Sequence, residues 1–250
     1  MVELSKENLA KLLIEQLQGY RIYTPTTSVL RGVSQDSQPA RPLGLSGGGL
    51  PEALKNVIRL AYRDEAIGKI TKDFFSLIPW AEKYNASHGS NLPLSPSAAT
   101  SHWIIELQDR FMAIKRNRLS GYDASEGALY VLFLAALIAH PGTPSFCAID
   151  NADHGLNPRL AKMLFDYLSC WILDSPRPKQ ILITTHNPLV LDGLRLQDDR
   201  IRLFIVDRTN KGKTTINRFA ITPELENMAA QGWSLSRLWT MGHIGGMPDV

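Results

Sequence analysis

The chain has 250 residues, 44% hydrophobic and 20% charged, which is enough apolar material for one large core or one and a half small ones. A net charge of +3 without any dense Lys/Arg block leaves a nucleic-acid partner open but does not argue for one. The most apolar run, ALYVLFLAALIA (128–139), is too short to cross a bilayer, and the charged N-terminus has no apolar signal core, so the cytoplasm is the expected compartment and no membrane partner is foreseen.

Leu9, Leu12, Leu13 and Leu17 recur at helical spacing and predict a helix over 5–18, with Ser5 as its cap. Residues 19–50 are rich in Gly, Ser, Pro and Thr and keep no sustained period. PEALKNVIRLAY opens a second helix with Pro51 in its first turn, and residues 69–84 read as a continuation in helix. A polar loop (87–101) follows, then HWIIELQ and RFMAIKR, which read as two strands around Asp109. From residue 125 the order becomes α/β: helix 125–140, strand 145–150, helix 158–173, strand 180–185, a short helix, strand 202–207, the turn RTNKGK and strand 214–220. Apolar strands alternating with helices imply a parallel sheet flanked by helices. The expected division is therefore a helical and loop region over 1–101 and an α/β lobe over 102–250.

Four pieces stand in a fixed order within that lobe. DASEGALYVLFLAALI is a Ser-Glu-Gly turn opening an apolar helix, whose N-terminal amides and dipole suit a phosphate. Asp150 ends the apolar strand FCAID, 25 positions after Ser125, where a carboxylate can hold the water shell of Mg²⁺. His186 follows the apolar strand of ILITTHNP, 36 positions after Asp150, and WSLSRLWTMGHIGGMP closes the chain.

With these pieces in this order, the sequence resembles the C-terminal half of an ABC-type, AAA-family ATPase related to chromosome-maintenance and DNA-repair ATPase heads. The resemblance implies a partial P-loop NTPase fold, ATP and Mg²⁺ as ligands, and two heads closing on nucleotide. Ser125, Glu126 and Gly127 match the signature turn, Asp150 the Walker B aspartate and metal ligand, Gly155-Leu156-Asn157 the D-loop, and His186 the switch histidine. Asn151 stands where the family usually carries the glutamate that orients attacking water; an amide can hold that water but cannot accept its proton. Asp153 is the nearest substitute in sequence.

Two stretches imitate ATPase motifs. LSGGG (45–49) differs by one letter from an LSGGQ signature, yet Ser46 lies 104 residues before Asp150, whereas a signature precedes Walker B by a single helix. It reads as a loop into the helix at Pro51, with an anion site left open by that helix start. NKGKTTI (210–216) contains Gly-Lys-Thr but lacks the first P-loop glycine and leads into a β-rich segment, so it reads as a hairpin turn. No GxxxxGK[ST] occurs in the 250 residues.

The implied function is that of an ATP-binding half whose signature and switch elements complete a site with a polypeptide carrying the Walker A half or with a second copy, in a DNA-associated or defence system. Hydrolysis by the chain alone is expected to be slow or absent, and the alternative is a docking module that keeps only the fold. An unpaired strand edge and apolar face would accompany a half sheet. A third reading takes Asp150, Asp153 and His154 as a nuclease metal cluster. Trp103, Trp171 and Trp239 read as core or interface aromatics, His102, His140 and His243 as solvated or capping side chains, and Cys147 and Cys170 as buried thiols.

Overall fold

The structure, a computed structural model, describes residues 6–88, 103–175 and 177–245. The expected cap Ser5, His102, most of the 87–101 loop and the last residues of the closing motif lie outside them. The chain is α/β and divides into two compact units, Met1–Leu156 with Asp174–Thr185, and Asn157–Leu173 with His186–Val250.

In the first unit, α1 (Lys6–Gln18) precedes a three-residue strand, β1 (Arg21–Tyr23), and a single helical turn, α2 (Thr27–Leu30). Both lie in the stretch without periodicity, because three or four residues cannot display a period. α3 (Leu50–Ala61) starts as expected, with proline in its first turn. α4 (Glu65–Leu77) begins at Asp64, whose side chain accepts from the Ile67 amide at 3.2 Å.

The helix expected over 69–84 is corrected here. Pro79 cannot continue it, and the chain turns into β2 (Ala81–His88). β2 pairs antiparallel with β3 (Trp103–Asp109), which pairs with β4 (Arg118–Ser120). The expected strand RFMAIKR is also corrected. Asp109 Oδ1 accepts from the amides of Phe111 (2.7 Å) and Met112 (3.1 Å), an Asx turn that ends the strand.

α5 (Glu126–Ala139) is buried on every side from Ala128 to Ala139, which explains why its sequence is apolar throughout rather than amphipathic. α2, α3 and α4 pack on it, and Tyr23 meets Phe133 edge-on at 5.9 Å. β5 (Phe146–Ile149) lies between β1 and β6 (Gln180–Ile183) in an all-parallel sheet. Tyr23, Cys147 and Ile149 line its buried face. On the other face, Ile22, Ala148 and Leu182 stand in register, with Ile22 51% and Leu182 49% exposed.

The second unit contains α6 (Pro158–Leu173), with the bounds the sequence predicts, and a 3₁₀ segment over Pro188–Gly193. β7 (Phe204–Arg208) and β8 (Thr214–Arg218) form an antiparallel hairpin. The short helices α7 (Pro223–Ala230) and α8 (Leu235–Thr240) follow, of eight and six residues, too short to display a sustained period. Asp192 ties α8 to the 3₁₀ segment, accepting from the Ser236 amide (2.9 Å) and hydroxyl (2.7 Å). Trp171 is buried in this unit, as its apolar setting suggests.

A candidate nucleotide and magnesium site

Asp150 leaves the C-terminal end of β5, its amide donating to the Tyr23 carbonyl at 2.9 Å. Its Oδ1 accepts from the Thr184 hydroxyl at 2.5 Å, and the same hydroxyl oxygen accepts from the Asn151 amide at 2.9 Å. The Ala152 amide donates to the Thr184 carbonyl at 3.1 Å, so the end of β6 holds the whole 150–152 turn. Thr184 lies within ILITTHNP, two positions before His186. A hydroxyl at the end of an apolar strand was the available signal. Asp150 and Asn151 are both exposed, and Asn151 has φ 50°, a left-handed conformation that Asn tolerates better than most side chains. Backbone geometry therefore gives position 151 a reason to be Asn apart from any chemistry.

Ser125 caps α5 from an extended conformation, its Oγ accepting from the Ala128 amide at 3.4 Å. Glu126 carries its carboxylate against the chain: it accepts from the Thr27 hydroxyl and lies 3.8 Å from His154 Nε2. Gly155 has φ 69°, and a Cβ there would come within 2.5 Å of Glu126 Cγ, so only glycine lets the turn after β5 close on this side chain. Tyr130 completes the cluster, donating to the Pro25 carbonyl at 2.6 Å. Burial pushes its phenol up to about 12, which keeps it a donor. Glu126 thus joins α2, the start of α5 and the turn that carries Gly155.

Asn157 and His186 belong to the second unit. The Asn157 carboxamide accepts from the Leu160 amide at 2.9 Å at the start of α6, and His186 is exposed just before the 3₁₀ segment. The first unit gathers Asp150 and Asn151 with Thr184, and separately Ser125 and Glu126 with His154 and Gly155.

Among the described residues no group of three or more His, Cys, Asp and Glu side chains is placed to hold a metal, and His154 faces Glu126, so the nuclease cluster does not form. The donor set does fit Mg²⁺ bound through nucleotide phosphates and water, because that ion takes only one or two carboxylates from a protein. Asp150 would hold it, with Thr184 fixing one carboxylate oxygen.

Both imitations resolve against an ATPase role. The LSGGG loop is wrapped on Asp36, whose carboxylate accepts from the amides of Gln38 (2.9 Å), Ser46 (3.1 Å) and Gly48 (3.0 Å). A Cβ on Gly48 would lie 2.6 Å from Asp36 Cβ. The glycines serve this close approach, and the loop's anion is the chain's own. NKGKTTI is the β7–β8 turn, with Gly212 at φ 76°.

Residues 107–192 match the family model "AAA domain, putative AbiEii toxin, Type IV TA system". No curated protein matches the chain. Among solved structures, the chain is similar to the Pyrococcus furiosus Smc head domain bound to the C-terminal domain of ScpA, at 14% identity and a TM-score of 0.43, over 73% of this chain and 38% of that one. An SMC ATPase structure described for ATP-driven dimerization and DNA-stimulated activation aligns at 15% identity and 0.41, covering 72% of this chain and 98% of that one. An SmcHead bound to the C-winged helix domain of ScpA aligns at 13% and 0.46, covering 81% and 57%. The chain thus spans well under half the length of the first of these.

Proposed function

We propose that the chain, whose residues 107–192 match an AAA-domain family model, supplies the signature, Walker B and switch elements of an ABC-type nucleotide site. A second polypeptide carrying the Walker A lysine, or a second copy of the chain, completes the site. The 102–250 lobe carries those elements, and β1 adds a strand to its sheet. The observation that carries this reading is the Thr184–Asp150–Asn151 arrangement at the sheet's C-terminal end, the place where ligands gather in open α/β sheets.

In this reading Asp150 holds Mg²⁺, which neutralises phosphate charge when bound. Asn151 positions the attacking water without taking its proton, and His186 reaches the terminal phosphate. Ser125, Glu126, Gly127 and Asn157 frame the nucleotide of the opposing head, with Glu126 acting through the turn it holds. The chain works in the cytoplasm, and among the described residues no helix is long and apolar enough to cross a membrane. The process powered is DNA-associated or defensive.

A docking module that has lost turnover is the second reading, favoured by Asn151 and by a Glu126 carboxylate committed to Thr27. The deciding experiment measures ATP turnover by the chain alone and mixed with a polypeptide bearing the Walker A segment, with Asp150→Ala as control. Turnover confined to the mixture and lost in the control supports the composite site. Equal, negligible turnover in every sample sinks it and leaves the docking module.

A further inference from the structure

Between β3 and β4, the segment RFMAIKR is a loop whose residues, 110–116, are all exposed. Phe111 is 78% and Ile114 88% exposed, and Met112 is also open to solvent. Single exposed apolar side chains are ordinary, but these three fall within four positions, at most about 11 Å of backbone, and make one apolar patch. The base of the loop is fastened. The Asp109 amide donates to the Asn117 carbonyl at 2.8 Å, the Arg110 amide to the Trp80 carbonyl at 2.9 Å and the Arg116 amide to the Ala113 carbonyl at 2.7 Å. Its charge is one-sided. Between Asp109 and Asp123 the charged residues are Arg110, Lys115, Arg116 and Arg118, with no carboxylate among them. Arg110 Nη2 donates to the Ala81 carbonyl at 3.0 Å and Arg118 pairs with Glu106. Lys115 and Arg116 pair with no carboxylate among the described residues. None of these residues belongs to the proposed nucleotide site.

We infer that this loop seats the chain on an anionic lipid surface, with Phe111, Met112 and Ile114 entering the interface and Lys115 and Arg116 meeting the headgroup charge. Peripheral binding of this kind grows with the apolar area buried and with the attraction of basic side chains to anionic lipid. A nucleic acid would use the two cations and the Phe111 ring but leave the aliphatic Ile114 in water. A lipid interface takes all three apolar side chains, and being fluid it needs no pocket shaped to the loop. No spanning helix is required, and the cytoplasmic leaflet presents the negative surface that the two cations complement.

Vesicle flotation with the purified full chain tests it, using vesicles of equal parts phosphatidylcholine and phosphatidylglycerol beside vesicles of phosphatidylcholine alone. The mixed vesicles should bind about tenfold more tightly or better, and added salt should weaken that binding. Phe111→Ser with Ile114→Ser, both at exposed positions, should lower it about tenfold or more. Lys115→Gln with Arg116→Gln should lower it about thirtyfold on mixed vesicles, roughly fivefold for each charge removed. Lys211→Gln with Lys213→Gln takes the same charge from the exposed β7–β8 turn and should leave binding within about twofold, which separates the loop from the chain's overall positive charge. Circular dichroism confirms that each variant is folded. No binding to mixed vesicles, equal binding to both vesicle types, binding indifferent to the Phe111 and Ile114 substitutions, or an equal loss in the Lys211 and Lys213 control would each overturn it. Duplex DNA binding that is lost in the loop variants while vesicles are ignored would also overturn it and assign the loop to nucleic acid.

Discussion

Replacing Gly155 with alanine tests the contact that joins the start of α5 to the turn after β5. Two costs add. An alanine held at φ 69° costs about 1–2 kcal/mol in backbone strain. Its Cβ would also lie 2.5 Å from Glu126 Cγ and 2.6 Å from Cδ, so the glutamate must move and release the Thr27 hydroxyl, at a cost of about 1.5–3 kcal/mol for a hydrogen bond to a charged group. Together Gly155→Ala should destabilise the first unit by roughly 2.5–5 kcal/mol. Gly32→Ala is the control: its φ is 72° but nothing lies within 4 Å of its Cβ, so only the backbone cost of about 1–2 kcal/mol applies. Urea denaturation followed by circular dichroism gives both values. In a Glu126→Ala background, the Gly155 substitution should fall back to the cost of the control, a coupling that a double-mutant cycle reads directly. Equal costs at Gly155 and Gly32 in the parent chain would refute the claim that Glu126 is clamped against this turn.

Three further outcomes follow from the same geometry. Asp36→Ala strips the acceptor from three amides and should cost about 2–4 kcal/mol, seen as a lower Tm and as protease cleavage within 36–49. Thr184→Val removes the hydroxyl shared by Asp150 and Asn151 and should cost about 1–3 kcal/mol in urea titration, with Mg²⁺-dependent nucleotide binding by the completed site weakened in parallel. The third concerns pH. Burial, then the charges of Lys179 and Arg177, hold the His140 imidazole below its ordinary 6.5, and its Nδ1 accepts from the Gly142 amide at 3.0 Å as a neutral ring does. The unfolded chain therefore takes up the proton first. This contribution to stability is complete above about pH 6.5 and is lost as pH falls through the lower folded value. His140→Gln should flatten the stability profile between pH 7 and 5, and an unchanged slope would count against the assignment.

The chain's own letters determined the elements whose signal is long or chemically specific. α5 is apolar over its whole length because it is enclosed on every side, and α6 begins at Pro158 because proline fits a helix start. The spacing of Ser125, Asp150 and His186 placed the candidate site and removed LSGGG from it, since that test needs only counting along the chain. Tertiary structure alone decided the rest. β1 has three residues and no pattern of its own, so its role beside β5 exists only through pairing. β2 is a polar segment made into strand by β3, and Asp109 ends β3 by taking the amides that RFMAIKR would have needed for a ladder. Thr27 meets Glu126 across 99 positions and Thr184 meets Asp150 across 34, distances over which no local preference acts. Asp36 likewise turned a loop that resembles a phosphate cradle into one already filled by its own carboxylate, because a backbone amide takes whichever acceptor the fold brings to it.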